Sequence, residues 1–309
     1  MQAKANTQTR DGVLLAITAT LLWSGNFIIA RKASESIGPV SLAFYRWSCA
    51  TIVLFPFAYK KVLAEFAVMK INWKILLMLS FTGIALFNTF VYVAGHYTTA
   101  INMALIGTTS SPIFATVMAV LFLKERIGFF RIIGMIISIF GIVLLISKGS
   151  WDVLKHFQFS IGDAWILAGA FAFAVYNILV RKKPSGISPL SFLWIIFCLG
   201  SCMLLPFYLL ELNVSTNHTS WSTELLGSIL YLGIGTSVLA FWCWNLAIAK
   251  LGAGKTVLFG NLIPVFSTLE AVFFIGEKMT LIHLASGVIV IAGLIIANLN
   301  LRKLNHNGN

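Results

Sequence analysis

Ten stretches of this chain are long, nearly unbroken apolar runs: 12–30, 40–59, 74–95, 100–123, 128–147, 162–180, 188–210, 225–249, 254–275 and 280–299. At 1.5 Å of helix rise per residue, about 20 such residues cross the roughly 30 Å of hydrocarbon in a bilayer. Composition rules out water as the main solvent. Of 309 residues, 59% are hydrophobic and 10% charged, against roughly 45–50% and about 25% in soluble domains. In lipid only helices and closed barrels satisfy every backbone polar group, and barrel strands are alternating segments of about ten residues. The sequence therefore predicts an all-α polytopic membrane protein with ten transmembrane helices.

The net charge of +12 sits in the short connections between these runs, which is the pattern of topology signals and not of a nucleic-acid surface. With the N-terminus placed in the cytoplasm, sixteen of the 22 Lys and Arg residues fall on the cytoplasmic side, while Arg31, Lys32, Lys148, Lys155 and Lys278 fall outside and Arg46 lies within a run. That bias predicts two cytoplasmic termini, in a bacterial cytoplasmic (inner) membrane. The four cysteines, Cys49, Cys198, Cys202 and Cys243, lie inside apolar runs without a metal-ligand neighbour, so they read as small apolar residues.

The chain repeats itself. Residues 112–126 read PIFATVMAVLFLKER and residues 264–278 read PVFSTLEAVFFIGEK; Pro39/Pro189, Ser41/Ser191, Pro56/Pro206, Gly83/Gly233 and Gly141/Gly293 match at offsets of 150–152. An offset that holds through five runs indicates a duplicated five-helix unit, 1–149 and 150–309. Five is odd, so the second copy must enter the bilayer upside down. Inverted repeats let one packing exist in two related states, each open to one side with the solute between them. That favours a transporter working by alternating access. A channel can also carry inverted repeats, and a membrane-embedded enzyme is the other alternative. Against the enzyme, the five His residues lie in or near connections and no H-E-x-x-H or G-x-S-x-G occurs.

Several segments, in this order and spacing, resemble the drug/metabolite transporter superfamily, EamA-type. They are WSGNFIIARK (23–32), LAFYRW (42–47), the 112–126 and 264–278 helix ends, GDAWILAGAFAFAVYNILVRK (162–182) and LAFWCWNLAIAKLGAG (239–254). The resemblance covers nearly the whole chain. It implies ten helices in two inverted five-helix repeats, a central cavity, and export of small metabolites, amino acids or drugs. It assigns no role to Glu270, where many relatives carry an apolar residue.

Glu270 is the one charge in 256–276, where the first copy has Met118. It lies about 10 Å of helix rise before Glu277. A carboxylate at that depth is costly and tends to face a cavity or a partner. One reading is proton coupling or binding of a substrate ammonium, with Ser267 on the same face. The other is a group that meets outward-side water or a polar neighbour and takes no part in transport. Arg46, the second intramembrane charge, has two readings as well. It neutralises a substrate carboxylate, or it is a structural Arg on helix carbonyls or snorkelling to the interface. The structural one is preferred, because members of the resembled family often carry an Arg here whatever the substrate.

Trp23 and Asn26 in the first copy, and Tyr176 and Asn177 in the second, occupy corresponding places. They are candidates for lining a substrate cavity, or else for interhelical hydrogen bonding. Pro112 and Pro264 mark either a hinge or a static kink. Gly134, Ser138 and Gly141, with Ser286, Gly293 and Ala297, read as close helix-packing faces. GAGKT at 252–256 is not a phosphate loop, since Ala249 stands where the first glycine is needed. No cofactor or metal is expected. The partners are a small-molecule substrate and the lipid bilayer, with a proton as the candidate coupling ion.

Overall fold

A computed structural model describes residues 2–124, 127–155, 160–214, 219–252, 256 and 259–297. The described residues are helical throughout, with no strand among them. The long helices are α1 (Gln2–Lys32), α2 (Pro39–Ile71), α3 (Trp73–Gly95), α4 (Ala100–Leu123), α5 (Phe129–Ile146), α6 (Ile161–Val180), α7 (Pro189–Val214), α8 (Thr223–Leu251), α9 (Ile263–Ile275) and α10 (Leu281–Ala297). Seven of them, α1 and α3 to α8, are long and apolar enough to cross a membrane by length and composition. Two more, Gly260–Ile275 and Leu281–Ala297, are shorter apolar helices. Both adjoin residues outside the description, including Lys255 of the GAGKT stretch. This is a multi-pass membrane fold.

Local chemistry sets the helix ends. Thr99, Ser160 and Ser222 stand before α4, α6 and α8, and each side chain accepts a hydrogen bond from a backbone N–H of the first turn. Helix α8 stops at Gly252 (φ +83°) and α9 at Gly276 (φ +66°), where a side chain would resist the left-handed turn. Other ends are capped across the fold by carboxylates. Glu211, near the end of α7, accepts from Val40 N (3.1 Å), Ser41 N (2.7 Å) and Ser41 Oγ (2.7 Å) at the start of α2. Glu65, late in α2, accepts from Ser188 N (3.0 Å) and Ser188 Oγ (3.2 Å) at the start of α7. So α2 and α7 run antiparallel, each closing the other's open N-terminus with negative charge. Burial alone would raise the Glu65 carboxyl; the Ser188 N–H, the Ser191 and Ser188 hydroxyls and nearby Lys61 outweigh it and hold the group below its ordinary range. Glu277, just past α9, accepts in the same way from Ala100 N (2.7 Å) and Ile101 N (3.1 Å) at the start of α4.

Nine of the helix pairings come in matched sets. Three join helices with corresponding numbers: α2 with α7, α4 with α9, and α5 with α10. Six more come in twos: α4–α6 with α1–α9, α3–α6 with α1–α8, and α3–α7 with α2–α8. Exchanging the first five helices for the last five preserves these nine pairings, whereas α1–α3, α1–α4, α2–α3 and α4–α10 pack without a counterpart of similar extent among the described residues. Irregularity is matched as well. Helices α3 and α8 each contain a π-helical stretch, Phe81–Leu86 and Tyr231–Leu239, with Gly83 and Gly233 inside. A Cβ at Gly83 would run into the Tyr176 ring and one at Gly233 into Cys49.

The α5–α10 contact is made by the small residues singled out from the sequence. Gly134 lies against the backbone of Gly293 and Ala297, Gly293 against Ser138, and Gly141 against Val290. Without side chains in the way the two backbones approach closely, which is how helices gain packing energy in lipid.

Candidate substrate site

Trp23-Ser24-Gly25-Asn26, in α1, is the hub of the candidate site. Trp23 Nε1 donates to the Thr236 carbonyl at 3.0 Å, and its ring meets Phe241 (centroids 5.4 Å) and Trp244 (5.1 Å). Ser24 faces α9. Gly25 gives room to Tyr231, whose ring would strike a Cβ there and whose hydroxyl donates to the Leu22 carbonyl at 2.9 Å. Asn26 faces α2 and α3. Four consecutive residues thus engage both the π-helical stretch of α8 and the acidic face of α9.

Glu270 reaches Ser24 from α9. Ser24 Oγ lies 2.8 Å from Glu270 Oε1 and 2.6 Å from the Leu21 carbonyl, and Ser267 Oγ donates to the Ser24 carbonyl at 3.1 Å. The serine has one proton for two acceptors. When Glu270 is ionised the hydroxyl can turn to the carboxylate. When Glu270 is protonated its own O–H can donate to Ser24 Oγ, leaving the serine proton for Leu21. The pair accommodates either state. The other oxygen, Oε2, is buried with no hydrogen-bond partner among the described residues, an orphan acceptor of the kind that native structures rarely leave unused.

Arg46 lies across α1 from Glu270 and is only 4% exposed. Its Nη1 donates to Asn26 Oδ1 (2.6 Å), Asn88 Oδ1 (2.7 Å) and Tyr92 Oη (2.7 Å), and its Nε to Ser237 Oγ (3.0 Å). Tyr92 Oη also lies 3.2 Å from Asn26 Oδ1. Four helices, α1, α2, α3 and α8, contribute to this network. An Arg at the centre of a spanning helix costs about 2.5–3.5 kcal/mol on insertion scales, so a network of this size is the expected compensation. Arg46 and Glu270 form no ion pair; all the described partners of Arg46 are uncharged. The helix carbonyls and the snorkelling route envisaged from sequence do not hold this side chain, because amide and hydroxyl oxygens from neighbouring helices reach it first.

The structure brings Trp23, Asn26, Arg46 and Glu270 to one region and leaves the other candidates elsewhere. Tyr176, in α6, stacks on Phe173 (centroids 5.6 Å) and packs on Gly83 of α3. Asn177 is half-buried beside it. Pro112 stands exposed inside α4, which continues through it, with Thr116 Oγ1 donating to its carbonyl at 2.8 Å. Pro264 is buried in the first turn of α9, following a 3₁₀ turn at Gly260–Leu262. There its missing N–H breaks no helix bond. Trp242, by contrast, is exposed on the outside of α8, where an aromatic side chain suits the membrane interface.

Asn88, Tyr92, Tyr231 and Ser237 escaped the sequence reading. The available signal was an Asn and a Ser interrupting apolar runs, and the Gly83/Gly233 echo beside them. A separate cavity of about 480 Å³ opens at the helix ends, lined in part by Arg31, His96, Asn102, Lys148, Asp163 and His283. Burial lowers the His96 imidazole there, Glu211 opposes the effect and Arg31 adds to it.

The EamA-like transporter family is matched twice along this chain, over residues 10–147 and again over 160–299. The chain belongs to that family. It is similar to an uncharacterized transporter of Archaeoglobus fulgidus, 28% identical over 286 residues that make up 92% of this chain and 96% of the relative. It is also similar to a probable amino-acid metabolite efflux pump of Salmonella typhimurium, 24% identical over 93% of this chain and 94% of the pump. One solved crystal structure covers 95% of this EamA-like chain and 98% of its own, with a TM-score of 0.61 at 18% identity; that likeness speaks to the fold alone. The double family match runs along the same offset as the helix pairings and the π-helical stretches. The EamA-like chain is a multi-pass membrane transporter.

Proposed function

We propose that this protein is a secondary transporter that exports a small amino-acid-like metabolite by alternating access, with Glu270 as its protonatable group. Glu270 carries the reading. Its carboxylate stands where α1 of the first half meets α9 of the second, with Oε1 on Ser24 and Oε2 buried without a partner among the described residues. A site shared between halves is where relative motion changes access. The orphan oxygen is the place for a proton or a substrate ammonium, and the Ser24 hydroxyl serves both charge states. Trp23, Phe241 and Trp244 supply an aromatic wall for the apolar part of a solute.

The matched helix pairings and the antiparallel α2–α7 pair support two inverted five-helix halves, 1–149 and 150–309, crossing the bilayer ten times. In that arrangement the Lys and Arg bias puts both termini in the cytoplasm, in the inner membrane of a bacterium. The name carried by the Salmonella typhimurium relative supports amino-acid metabolites as the solute class and efflux as the direction. Tyr176 and Asn177 would take up the solute on the α3–α6 side, Pro112 would mark where α4 bends between states, and Pro264 would mark where α9 pivots on the 3₁₀ turn before it.

Counterflow in proteoliposomes tests the reading. Vesicles preloaded with one unlabelled amino acid should transiently accumulate the labelled form, saturably, and more strongly with a pH gradient. Current without saturation or exchange would mean a channel, and would remove the carrier reading.

A further inference from the structure

We propose that Arg46 and Trp47 form an anion pocket that receives the carboxylate of the transported solute. This rests on the transporter reading above and adds what the solute must carry. A buried cation and an orphan donor meet here. Arg46 is buried, yet its described partners, Asn26, Asn88, Tyr92 and Ser237, are all neutral, so its charge has no counter-ion among the described residues. Three acceptors crowd Nη1 and one takes Nε, while Nη2 enters none of these bonds. The Trp47 ring lies under the guanidinium, 4.5 Å from centroid to Cζ. Trp47 is 2% exposed and its Nε1–H is buried with no acceptor among the described residues.

The orphan indole N–H is a donor, and it belongs to the ring stacked on a buried cation whose described partners are all neutral. Buried donors of this kind are costly unless an acceptor arrives. A carboxylate supplies two acceptor oxygens and a negative charge, in the plane that suits a guanidinium fork. A purely structural Arg has no need of a stacking ring whose indole N–H is buried without an acceptor. The pocket's position fits a role in transport, since Ser237 of α8 belongs to the other half of the molecule. Asn26 at this pocket is two residues from Ser24 at Glu270. A single turn of α1 therefore links an anion-seeking pole to a cation-seeking one, and a zwitterion would satisfy the orphan groups at both.

The test measures binding without flux, on the full chain in detergent, as thermal stabilisation by ligand. The probes are acetate, benzoate and L-phenylalanine, each against its amide (acetamide, benzamide, L-phenylalaninamide), with chloride as the inorganic anion. The carboxylates should stabilise the protein and the amides should not. Trp47→Phe keeps the ring and removes the N–H, and should weaken apparent carboxylate affinity about tenfold. Asn88→Asp places a fixed carboxylate beside Nη1; it should stay folded and lose the response to all three carboxylates. Stabilisation by amides equal to that by acids, by chloride alone, by none of the probes, or undiminished in Asn88→Asp would overturn the pocket. Binding with no counterflow of any solute would sink the transporter reading and leave the pocket standing. Counterflow with no preference for carboxylates would do the reverse.

Discussion

Glu270→Gln is expected to abolish pH-driven accumulation while leaving the protein folded, inserted and able to exchange solute. Glutamine has nearly the same shape, and its amide can keep a hydrogen bond to Ser24, which sits 2.8 Å from Oε1 in the native protein. What it lacks is the proton. A gradient of one pH unit sustains at most about tenfold accumulation per coupled proton, so the expected change under that gradient is from about tenfold to none. Counterflow driven only by preloaded solute should persist, because it needs no proton. Uptake by the variant that still follows the pH gradient would show that Glu270 is not the coupling group. If the solute's ammonium rather than a proton completes Oε2, the variant should instead lose affinity equally with and without the gradient. The two arms of one experiment separate these outcomes.

The second large effect concerns stability. Arg46→Met should cost about 3–5 kcal/mol, because it leaves the buried Asn26 and Asn88 oxygens without their strongest donor at about 1–3 kcal/mol for each unsatisfied group. It also cuts Ser237 of α8 loose from α2. Set against a net stability of roughly 5–15 kcal/mol, that is a large fraction. The expected readout is a marked fall in the melting temperature of the purified protein and a smaller folded fraction in the membrane. A variant as stable as the native chain would mean that the network is not what tolerates the charge.

The membrane fold was legible in the sequence because apolar runs need no partner to be read. Each reports its own solvent. The repeat was legible for a similar reason, since Pro39/Pro189 and Gly83/Gly233 carry their constraints locally, as a helix start and as a π-helical contact. The family followed from these in order and spacing. The site was legible only in its charges. Glu270 and Arg46 stand out in any apolar run, but their partners do not. Ser24 lies 246 residues from Glu270, and Ser237 lies 191 from Arg46. A Ser or Asn in a membrane helix can as well bond its own preceding turn, as Thr108 and Thr116 do here. Only packing decides which do so and which reach across. Pro264 teaches the same lesson. Its kink-forming chemistry is local, but whether it bends a helix or begins one depends on where the preceding turn ends.

Alternating access at a site shared by α1 and α9 requires two halves that cross the bilayer in opposite senses. Single cysteines at Gly128, just before α5, and at Met279, just before α10, give the most direct measurement once the four native cysteines are replaced. Both positions are exposed. With a membrane-impermeant maleimide added to intact cells and to inverted vesicles, the Gly128 site should react only from the cytoplasmic face and the Met279 site only from outside. Labelling of both from the same face would contradict the inverted architecture, and with it the shared site between α1 and α9.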